Sequence, residues 1–425
     1  MDNTQFGMVS SIFTVGGLVG ALAAGPVSSH RGRLFPMRLS APLFIAGSAL
    51  ETLAPSVAIL SIGRFLSGLA AGASIVIVPI YISEIVPTQM KGMFGASTQV
   101  GINMGILITQ ILGYFLSYGM MWRVVLGVGV ILGVVQLLGM LGMVESPEWL
   151  GTKGRVKQAK EALIKIKGEA TDEDLGKWGT GEDGREEYES LLGGPPDINS
   201  SLPHPRRTAS DATIGIFQVV VHPDHYRAII AVVAVMCAQQ LSGINSVMMY
   251  SVDFLKDLLP TAAGLITVAV GVLNLFVTIA CAPLSDKLGR KPCLLLSIAG
   301  MAINAFLLAF ALMYDIQILG AVATLLFVAS FAVGLGPVPF TLASELVGPE
   351  AVGATQSWAL AANWIATFLV AQFFPILKNA MGKGHVFFVF TALGAVFFCF
   401  IAWWVPESKG KANADEVWGR ERRED

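Results

Sequence analysis

Long apolar runs separated by short polar stretches make up most of this chain. About 20 apolar residues span the hydrocarbon core of a bilayer as a helix, so the runs predict eleven membrane spans. Between the fifth and sixth spans lies a long polar segment, which begins with an amphipathic basic helix over residues 153–167. The rest of that segment is rich in Gly, Asp, Glu, Pro and Ser and has too little apolar surface to form a core. The predicted spans cover approximately residues 6–27, 37–58, 61–86, 93–117, 122–144, 228–257, 262–284, 292–313, 317–346, 353–377 and 385–405.

This pattern predicts an all-α, polytopic membrane protein built from two helical bundles. The composition agrees, because 54% of the residues are hydrophobic and only 14% are charged, whereas a soluble domain has about 25% charged residues. We predict an N-terminal bundle over residues 1–144 and a linker with short helices and a disordered part over 145–225. A C-terminal bundle of six spans over 226–406 and a tail over 407–425 follow.

Lysine and arginine concentrate in alternate loops of this topology. Arg33 follows the first span, Lys91 the third, Arg290 the seventh and Lys409 the last. Loops rich in Lys and Arg face the cytosol, so we predict that the linker and the C-terminus are cytosolic. The sequence contains no readable sorting signal, so it is compatible with location in the plasma membrane or in the vacuolar membrane.

Charge and reactive residues argue against several classes of function. A net charge of −2, with no basic stripe interleaved with aromatics, gives no sign of nucleic-acid binding. The sequence shows no nucleophile–base set, metal-ligand cluster or phosphate loop. We therefore predict no enzymatic activity, no metal and no cofactor, and we expect the lipid bilayer and a small molecule as partners.

The stretch from Gln239 to Ser246 is the most polar part of any predicted span. Polar groups in hydrocarbon need partners, and Gly243 is a natural place for a membrane helix to break. Transporters build binding sites at broken helices near the midplane. Amides both donate and accept hydrogen bonds, which suits the hydroxyls of a sugar or polyol. The alternative is that these amides only join helices.

The two bundles repeat the same motifs about 260 residues apart, which indicates duplication of one half. Two spans precede the Gly-Arg loop of the second half, but only one precedes that of the first. We therefore expect that the given sequence lacks one helix at the start of the first bundle. The matched positions are Gly32-Arg33 with Gly289-Arg290, Glu84 with Glu345, and Glu145 with Glu407.

These motifs resemble those of the sugar porters of the major facilitator superfamily, which include the facilitative glucose transporters and the fungal hexose transporters. The resemblance covers nearly the whole chain, and the order and spacing of its motifs make it specific. The motifs are Gly63-Arg64, Pro79-x-Tyr81-x-x-Glu84, Lys91-Gly92, Trp122-Arg123, Glu145-Ser146-Pro147, the stretch from Gln239 to Asn245, Asp286-x-x-Gly289-Arg290, Gly336-Pro337-x-Pro339 and Pro406-Glu407-Ser408.

The resemblance implies the major facilitator fold, transport of a hexose or polyol by alternating access, and two sets of functional residues. An aromatic ring among the sugar contacts would cover the C–H face of a pyranose ring. The implied sugar contacts are Gln99, Gln239, Gln240, Asn245, Asn274, Asn363 and Trp364. The implied gating ion pairs, expected at cytosolic helix ends, are formed by Arg33, Arg64, Glu84, Arg123, Glu145, Asp286, Arg290, Glu345 and Glu407. These charges could instead be static topology anchors.

Several positions depart from the family pattern. Ser29 stands where the first loop usually has Asp, and Ala332 and Phe340 stand where the site usually has Glu and Trp. These departures leave open a sugar sensor that does not transport, or an inactive truncated paralogue. The sequence also leaves open whether protons accompany the sugar, since the coupling carboxylate of proton symporters in this family lies in the first helix.

Overall fold

Helices make up the secondary structure of every segment that the structure describes. A computed structural model describes residues 3–87, 90–116, 118–168, 215–249, 263–348, 350–382, 384–411 and 414–420. The N-terminal helices are α1 (Asn3–Arg31), α2 (Leu34–Leu53), α3 (Val57–Ile85), α4 (Lys91–Leu116), α5 (Trp122–Leu141), α6 (Pro147–Thr152) and α7 (Val156–Lys167). The others are α8 (Gln218–Val221), α9 (Tyr226–Leu241), α10 (Ala263–Cys281), α11 (Leu284–Leu288), α12 (Arg290–Met313), α13 (Gln317–Val333), α14 (Val338–Glu345), α15 (Val352–Met381), α16 (Val386–Trp404) and α17 (Ala414–Val417).

Ten helical segments within the described residues are long and apolar enough to cross a membrane. They correspond to ten of the eleven predicted spans. The remaining one, predicted over 37–58, is helix α2, which packs between α3 and α5 but carries Arg38 and Glu51 and is not among the ten. The part of the linker that we predicted to be disordered falls within residues 169–214, which lie outside the described residues.

Each half is held together by its own helix contacts. In the first half α3 packs against α1 and α2, and α5 packs against α2. A Cβ atom added at Gly16 or Gly20 would lie 2.3 Å or 2.2 Å from a backbone oxygen of α3, so these glycines allow α1 to approach α3 closely. In the second half α12 packs against α13 and α16, while α9 packs against α15.

The two halves meet along two helix pairs, α1 with α15 and α4 with α10. Close approach again depends on glycine. A Cβ atom at Gly17 would lie 2.6 Å from the ring of Trp364, and one at Gly25 would lie 2.3 Å from the Ser357 oxygen. The interface between the halves therefore contains no space for larger residues at these points of α1.

Two helices break where the sequence places glycine in an apolar run. Helix α9 ends at Leu241, and Gly243 has a φ of +98°, a left-handed conformation that favours glycine. The helical path resumes over residues 244–249. Helix α13 ends at Val333, and α14 starts at Val338 after a turn through Gly334 and Gly336. Both breaks expose backbone groups inside the membrane-spanning region.

Linker and tail segments cover the face of the molecule that carries the basic loops. Helices α6 and α7 pack on each other, and the Trp149 indole N–H donates to the Ser29 carbonyl over 3.0 Å. Across the other half, the Trp418 indole N–H donates to the Leu346 carbonyl over 3.0 Å, and Arg420 donates to the Asp224 carbonyl. Both segments are therefore docked on helix ends.

Candidate functional site

The polar stretch at the break in α9 forms a hydrogen-bonded cluster with α15. The Asn363 amide donates to Gln239 Oε1 over 2.6 Å, and the Gln240 amide donates to Asn363 Oδ1 over 3.2 Å. The Asn245 amide donates to Gln240 Oε1 over 2.6 Å and to the Thr367 hydroxyl over 3.3 Å. Four of the predicted sugar contacts therefore belong to one network.

The break between α13 and α14 fixes the orientation of this cluster. Gln239 Nε2 donates to the carbonyls of Leu335 and Gly336 over 2.6 Å and 3.2 Å. Those carbonyls are available because the chain is not helical there. The Leu335 N–H is itself held by the Ser297 hydroxyl over 3.0 Å. A rigid backbone turn thus sets which atoms of Gln239 and its partners stay free for a ligand.

A second amide cluster lies between α4 of the first half and α10 of the second. Gln99 Nε2 and Asn274 Nδ2 both donate to Asn103 Oδ1, over 2.9 Å and 3.1 Å. Asn103 Nδ2 donates to the Thr278 hydroxyl over 2.8 Å. These four side chains are all less than 5% exposed. Buried amides that are linked in this way define a single geometry, because each unmade bond would be costly.

The two clusters approach each other at Gly336. Its carbonyl accepts from Gln239, and a Cβ atom added to it would lie 3.4 Å from Cγ of Gln99. The six predicted amide contacts therefore converge on one region between the halves. Within the described residues, the hydrogen bonds that link them involve no charged side chain.

Trp364 lies beside this region on α15 and contacts α1 rather than the amides. Its ring meets Phe13 edge to face with a centroid distance of 5.8 Å, and its indole N–H is buried with no partner in the described part of the chain. Buried indole N–H groups usually find a partner. This donor is therefore available to a ligand between the halves.

Two of the family positions that differ in this chain have apolar residues on either side of the break between α13 and α14. Ala332 is fully buried and Phe340 is 5% exposed. Neither side chain offers a hydrogen bond, so recognition near them would depend on packing. This part of the region differs chemically from the amide clusters.

Three of the predicted charged residues of the first half form a bonded arrangement beside Gly32, which we call the N-terminal clasp (Gly32, Arg33, Glu84 and Glu145). The Arg33 guanidinium binds Glu84 with an Nη2–Oε1 distance of 2.5 Å, and its Nη1 donates to the Ser28 carbonyl over 2.9 Å. The Arg33 backbone N–H donates to Glu145 over 2.8 Å. Gly32 has a φ of +92° and would clash with Glu145 if it carried a Cβ atom.

The second half repeats this arrangement as the C-terminal clasp (Gly289, Arg290, Glu345 and Glu407). Arg290 Nη2 lies 2.7 Å from Glu345 Oε1, and Nη1 donates to the Ser285 carbonyl over 3.2 Å. The Arg290 backbone N–H donates to Glu407 over 2.9 Å, and Gly289 has a φ of +105°. Each clasp joins helices of one half only, so neither by itself links the two halves.

Asp286 makes the link across the halves that the clasps do not. One of its carboxylate oxygens lies 3.0 Å from Arg290 Nη1, and the other accepts the Met93 backbone N–H over 3.0 Å. That N–H lies in the first turn of α4, where a carboxylate is favourable. The equivalent position in the first half is Ser29, whose hydroxyl donates to the Gly25 carbonyl of its own helix. The charged link between halves is therefore present on one side of the pseudo-symmetry.

Arg64 and Arg123 do not lie at the same end as the clasps, contrary to the sequence prediction. Arg64 Nε lies 3.5 Å from the buried Glu51 carboxylate, and Arg123 donates to the Thr52 and Ala54 carbonyls. All three partners lie at the C-terminal end of α2, which is about 30 Å long. Because α2 starts next to Arg33, this second group of charges belongs to the opposite end of the bundle.

Sequence reasoning missed four parts of the amide clusters: Asn103, Thr278, Thr367 and the carbonyls after α13. Spacing could have found the first two. Asn103 follows Gln99 by four residues and Thr278 follows Asn274 by four, which places each pair on one helix face. The backbone carbonyls depend on the break in α13, whose geometry has no direct signal in residue type.

Comparison with known proteins gives the same picture over nearly the whole chain. The family model described as "Sugar (and other) transporter" matches residues 1–417. The chain is 34% identical over 418 residues to the probable metabolite transport protein YBR241C of Saccharomyces cerevisiae, which covers 98% of this chain and 83% of that protein. It is 33% identical over 413 residues to the probable polyol transporter 4 of Arabidopsis thaliana, with coverage of 93% and 74%.

Solved structures extend the similarity to three dimensions. The fold matches that of the proton:xylose symporter XylE from E. coli, bound to 6-bromo-6-deoxy-D-glucose, with a TM-score of 0.81 and 26% identity. The match covers 98% of this chain and 89% of that one. XylE is a member of the major facilitator superfamily, so the similarity confirms the predicted fold class.

Proposed function

This chain belongs to the sugar transporter family, and we infer that it carries a hexose or a related polyol across a membrane by alternating access, binding it at the two amide clusters. The main support for this binding site is that six buried or half-buried amides converge near Gly336, between the halves. Relatives and structural neighbours are named for polyol and sugar transport.

The chemistry of the region supports a neutral polyhydroxyl substrate. Asn274 Oδ1 and the Trp364 indole N–H are both buried, and neither has a hydrogen-bond partner in the described part of the chain. One is an acceptor and the other a donor, so together they match a hydroxylated ligand that offers both. An ionic substrate would meet described amides and hydroxyls whose hydrogen bonds involve no charged side chain, at a large desolvation cost.

The contacts between the halves support alternating access. Both helix pairs that join them meet through glycines and hydrogen bonds, such as the 3.2 Å bond from the Gly25 N–H to the Ser357 hydroxyl. Such contacts can form in one state and break in another, while the clasps keep each half rigid. At the end that carries the clasps, the Asp286 and Gly25 contacts join the two halves, which supports a state that is closed on that face.

The protein is a multi-pass membrane protein, and we propose that the face with the clasps, the linker and the tail is cytosolic. Lysine and arginine are concentrated on that face in the short loops, which is the strongest signal for orientation. The boundaries of the two bundles and the linker, 1–144, 145–225, 226–406 and 407–425, stay our proposed division of the chain.

Tracer uptake into proteoliposomes that contain the purified chain tests this function. We expect saturable uptake of labelled glucose or sorbitol that unlabelled sugar competes away and that gluconate, an anion of similar size, does not. Uptake that rises with an inward proton gradient would assign proton symport, and uptake that ignores the gradient would assign facilitation. Sugar binding without any uptake would contradict transport and indicate a receptor.

A further inference from the structure

A cavity of about 720 Å³ lies on the clasp face of the first half, away from the amide clusters. Its walls come from the end of α1, the first turns of α2, the chain around Glu145 and the linker helix α7. The sugar path between the halves does not use this cavity, since its lining residues all belong to the first half and to the linker helix that packs on it.

Basic side chains form the rim of the cavity. Arg31, Arg38 and Lys165 line it from three different helices, and all three are exposed. Two carboxylates also line it, but Glu145 already accepts the backbone N–H groups of the N-terminal clasp, which leaves Glu161 as the acid free of that role. The rim therefore offers positive charge to a ligand.

An apolar wall descends from this rim along α2. Phe35 is 39% exposed, Leu39 is 48% exposed, and Pro42 follows one turn further. The Arg31 guanidinium lies 4.8 Å from the centre of the Phe35 ring, which joins the basic rim to the apolar wall. From Phe35 to Pro42 the helix rises by roughly 10 Å toward the membrane centre.

We propose that this cavity binds an anionic glycerophospholipid of the cytosolic leaflet. Its phosphate would lie between Arg31, Arg38 and Lys165, and the start of an acyl chain would lie against Phe35 and Leu39. Basic pockets at the cytosolic ends of membrane helices attract anionic lipid head groups, which carry the opposite charge. A soluble phosphate would use the rim only and would leave the exposed apolar wall in contact with water. The combination of rim and wall therefore selects a lipid.

Native mass spectrometry of the purified full chain, titrated with dioleoyl phosphatidylserine or dioleoyl phosphatidylcholine, tests the site. We expect tighter binding of the first phosphatidylserine in the parent protein. The double variant Arg31→Gln/Arg38→Gln should weaken it by roughly tenfold or more, because each basic group contributes to anion binding. Leu39→Asn should weaken the binding of phosphatidylserine. It should not change the binding of glycerophosphoserine, which is the head group without acyl chains.

Matched controls separate this cavity from general charge effects. Lys287→Gln/Lys291→Gln removes two cations from the equivalent loop of the second half, outside the cavity lining, and should leave the first phosphatidylserine in place. Lys165→Gln provides a single change on the separate helix α7 if the arginine variant does not fold. Equal phosphatidylserine affinity in parent and rim variants, or equal binding of phosphatidylcholine, would overturn the proposal. If the parent protein binds glycerophosphoserine as tightly as phosphatidylserine, the site is one for a soluble anion instead.

Discussion

At the scale of single residues, Asn103 occupies the centre of the second amide cluster. Its oxygen accepts from Gln99 and Asn274, and its amide donates to Thr278. Both neighbours therefore turn their N–H groups toward Asn103, which leaves Asn274 Oδ1 without a partner in the described part of the chain. In the proposed site, Asn103 is thus a positioning residue that leaves this acceptor available to the substrate.

Asn103→Leu should raise the KM for sugar by roughly tenfold to a hundredfold, because losing one buried partner costs about 1–3 kcal/mol. The maximal rate should change less than KM, since the Gly25–Ser357 and Met93–Asp286 contacts on the clasp face stay intact. Uptake kinetics in proteoliposomes measure both. The control is Asn304→Leu, which removes a buried amide that donates within α12 to the Gly300 carbonyl. Equal KM values for the two variants would show that Asn103 has only a packing role.

At the scale of elements, the end of the linker and the tail dock on the clasp-face ends of the C-terminal helices, next to His225. His225 Nε2 lies 3.8 Å from Glu350, and the rings of His222 and His225 are 4.8 Å apart. Asp224 and Arg420 are the other charged groups around it. Burial lowers the pKa of His225 below its ordinary 6.5, and the Glu350 carboxylate opposes this by raising it.

This docking should weaken on acidification. A lowered pKa means that the unfolded chain binds more protons than the folded one between the folded value and 6.5. The contribution to stability is therefore complete above pH 6.5 and is lost as the pH falls through 6.5 toward the folded value. Thermal unfolding between about pH 7.5 and 5.5 should show a smaller pH dependence in His225→Gln than in the parent.

His385→Gln is the control for this element, because His385 is an exposed histidine before α16 and is not among the charged groups around His225. It should keep the pH dependence of the parent. If His225→Gln and the parent lose stability equally on acidification, His225 does not carry the effect.

At the scale of the whole molecule, closure depends on how closely α1 approaches α15. A Cβ atom at Gly25 would lie 2.3 Å from the Ser357 oxygen and 2.4 Å from the Gly353 carbonyl. The second contact is with backbone and cannot rotate away. The clasp face can therefore close only with glycine at this position.

Gly25→Ala should shift the population toward the state that is open on the clasp face. Gly101→Ala is the control, because a Cβ atom there meets nothing within 4 Å. Accessibility of a cysteine placed on the inner side of α15 to a reagent added on the side of the clasp face reports the shift. We expect faster labelling in Gly25→Ala than in Gly101→Ala, and equal rates would show that the α1–α15 contact does not control closure.

The sequence predicts the fold well where the pattern is periodic and repeated. Apolar runs locate the helices, and Gly243 correctly marks the break in α9. Predicting contacts is harder, because they depend on which helix ends meet. Arg64 and Arg123 were assigned to the clasp end together with the other charged residues that the resemblance implies, although α3 and α5 start at the opposite end of the bundle, next to the C-terminal end of α2. Asn103 was not assigned a site role because its importance comes from neighbours 171 and 175 residues away.

The central claim is that the linked amides bind the transported sugar, and Gln240 tests it most directly. Gln240 donates to Asn363 and accepts from Asn245, so Gln240→Ala removes the middle of the first cluster. Gln136→Ala is the matched control, because Gln136 donates to Ser40 within the first half and lies outside both clusters.

The measurement is saturable, competable uptake of labelled glucose by proteoliposomes that contain equal amounts of each variant. Loss of the central amide should cost about 1–3 kcal/mol of sugar affinity, or roughly tenfold to a hundredfold. We predict that Gln240→Ala loses uptake at low sugar concentration while Gln136→Ala transports like the parent. Unchanged uptake kinetics in Gln240→Ala would contradict the assignment of the site.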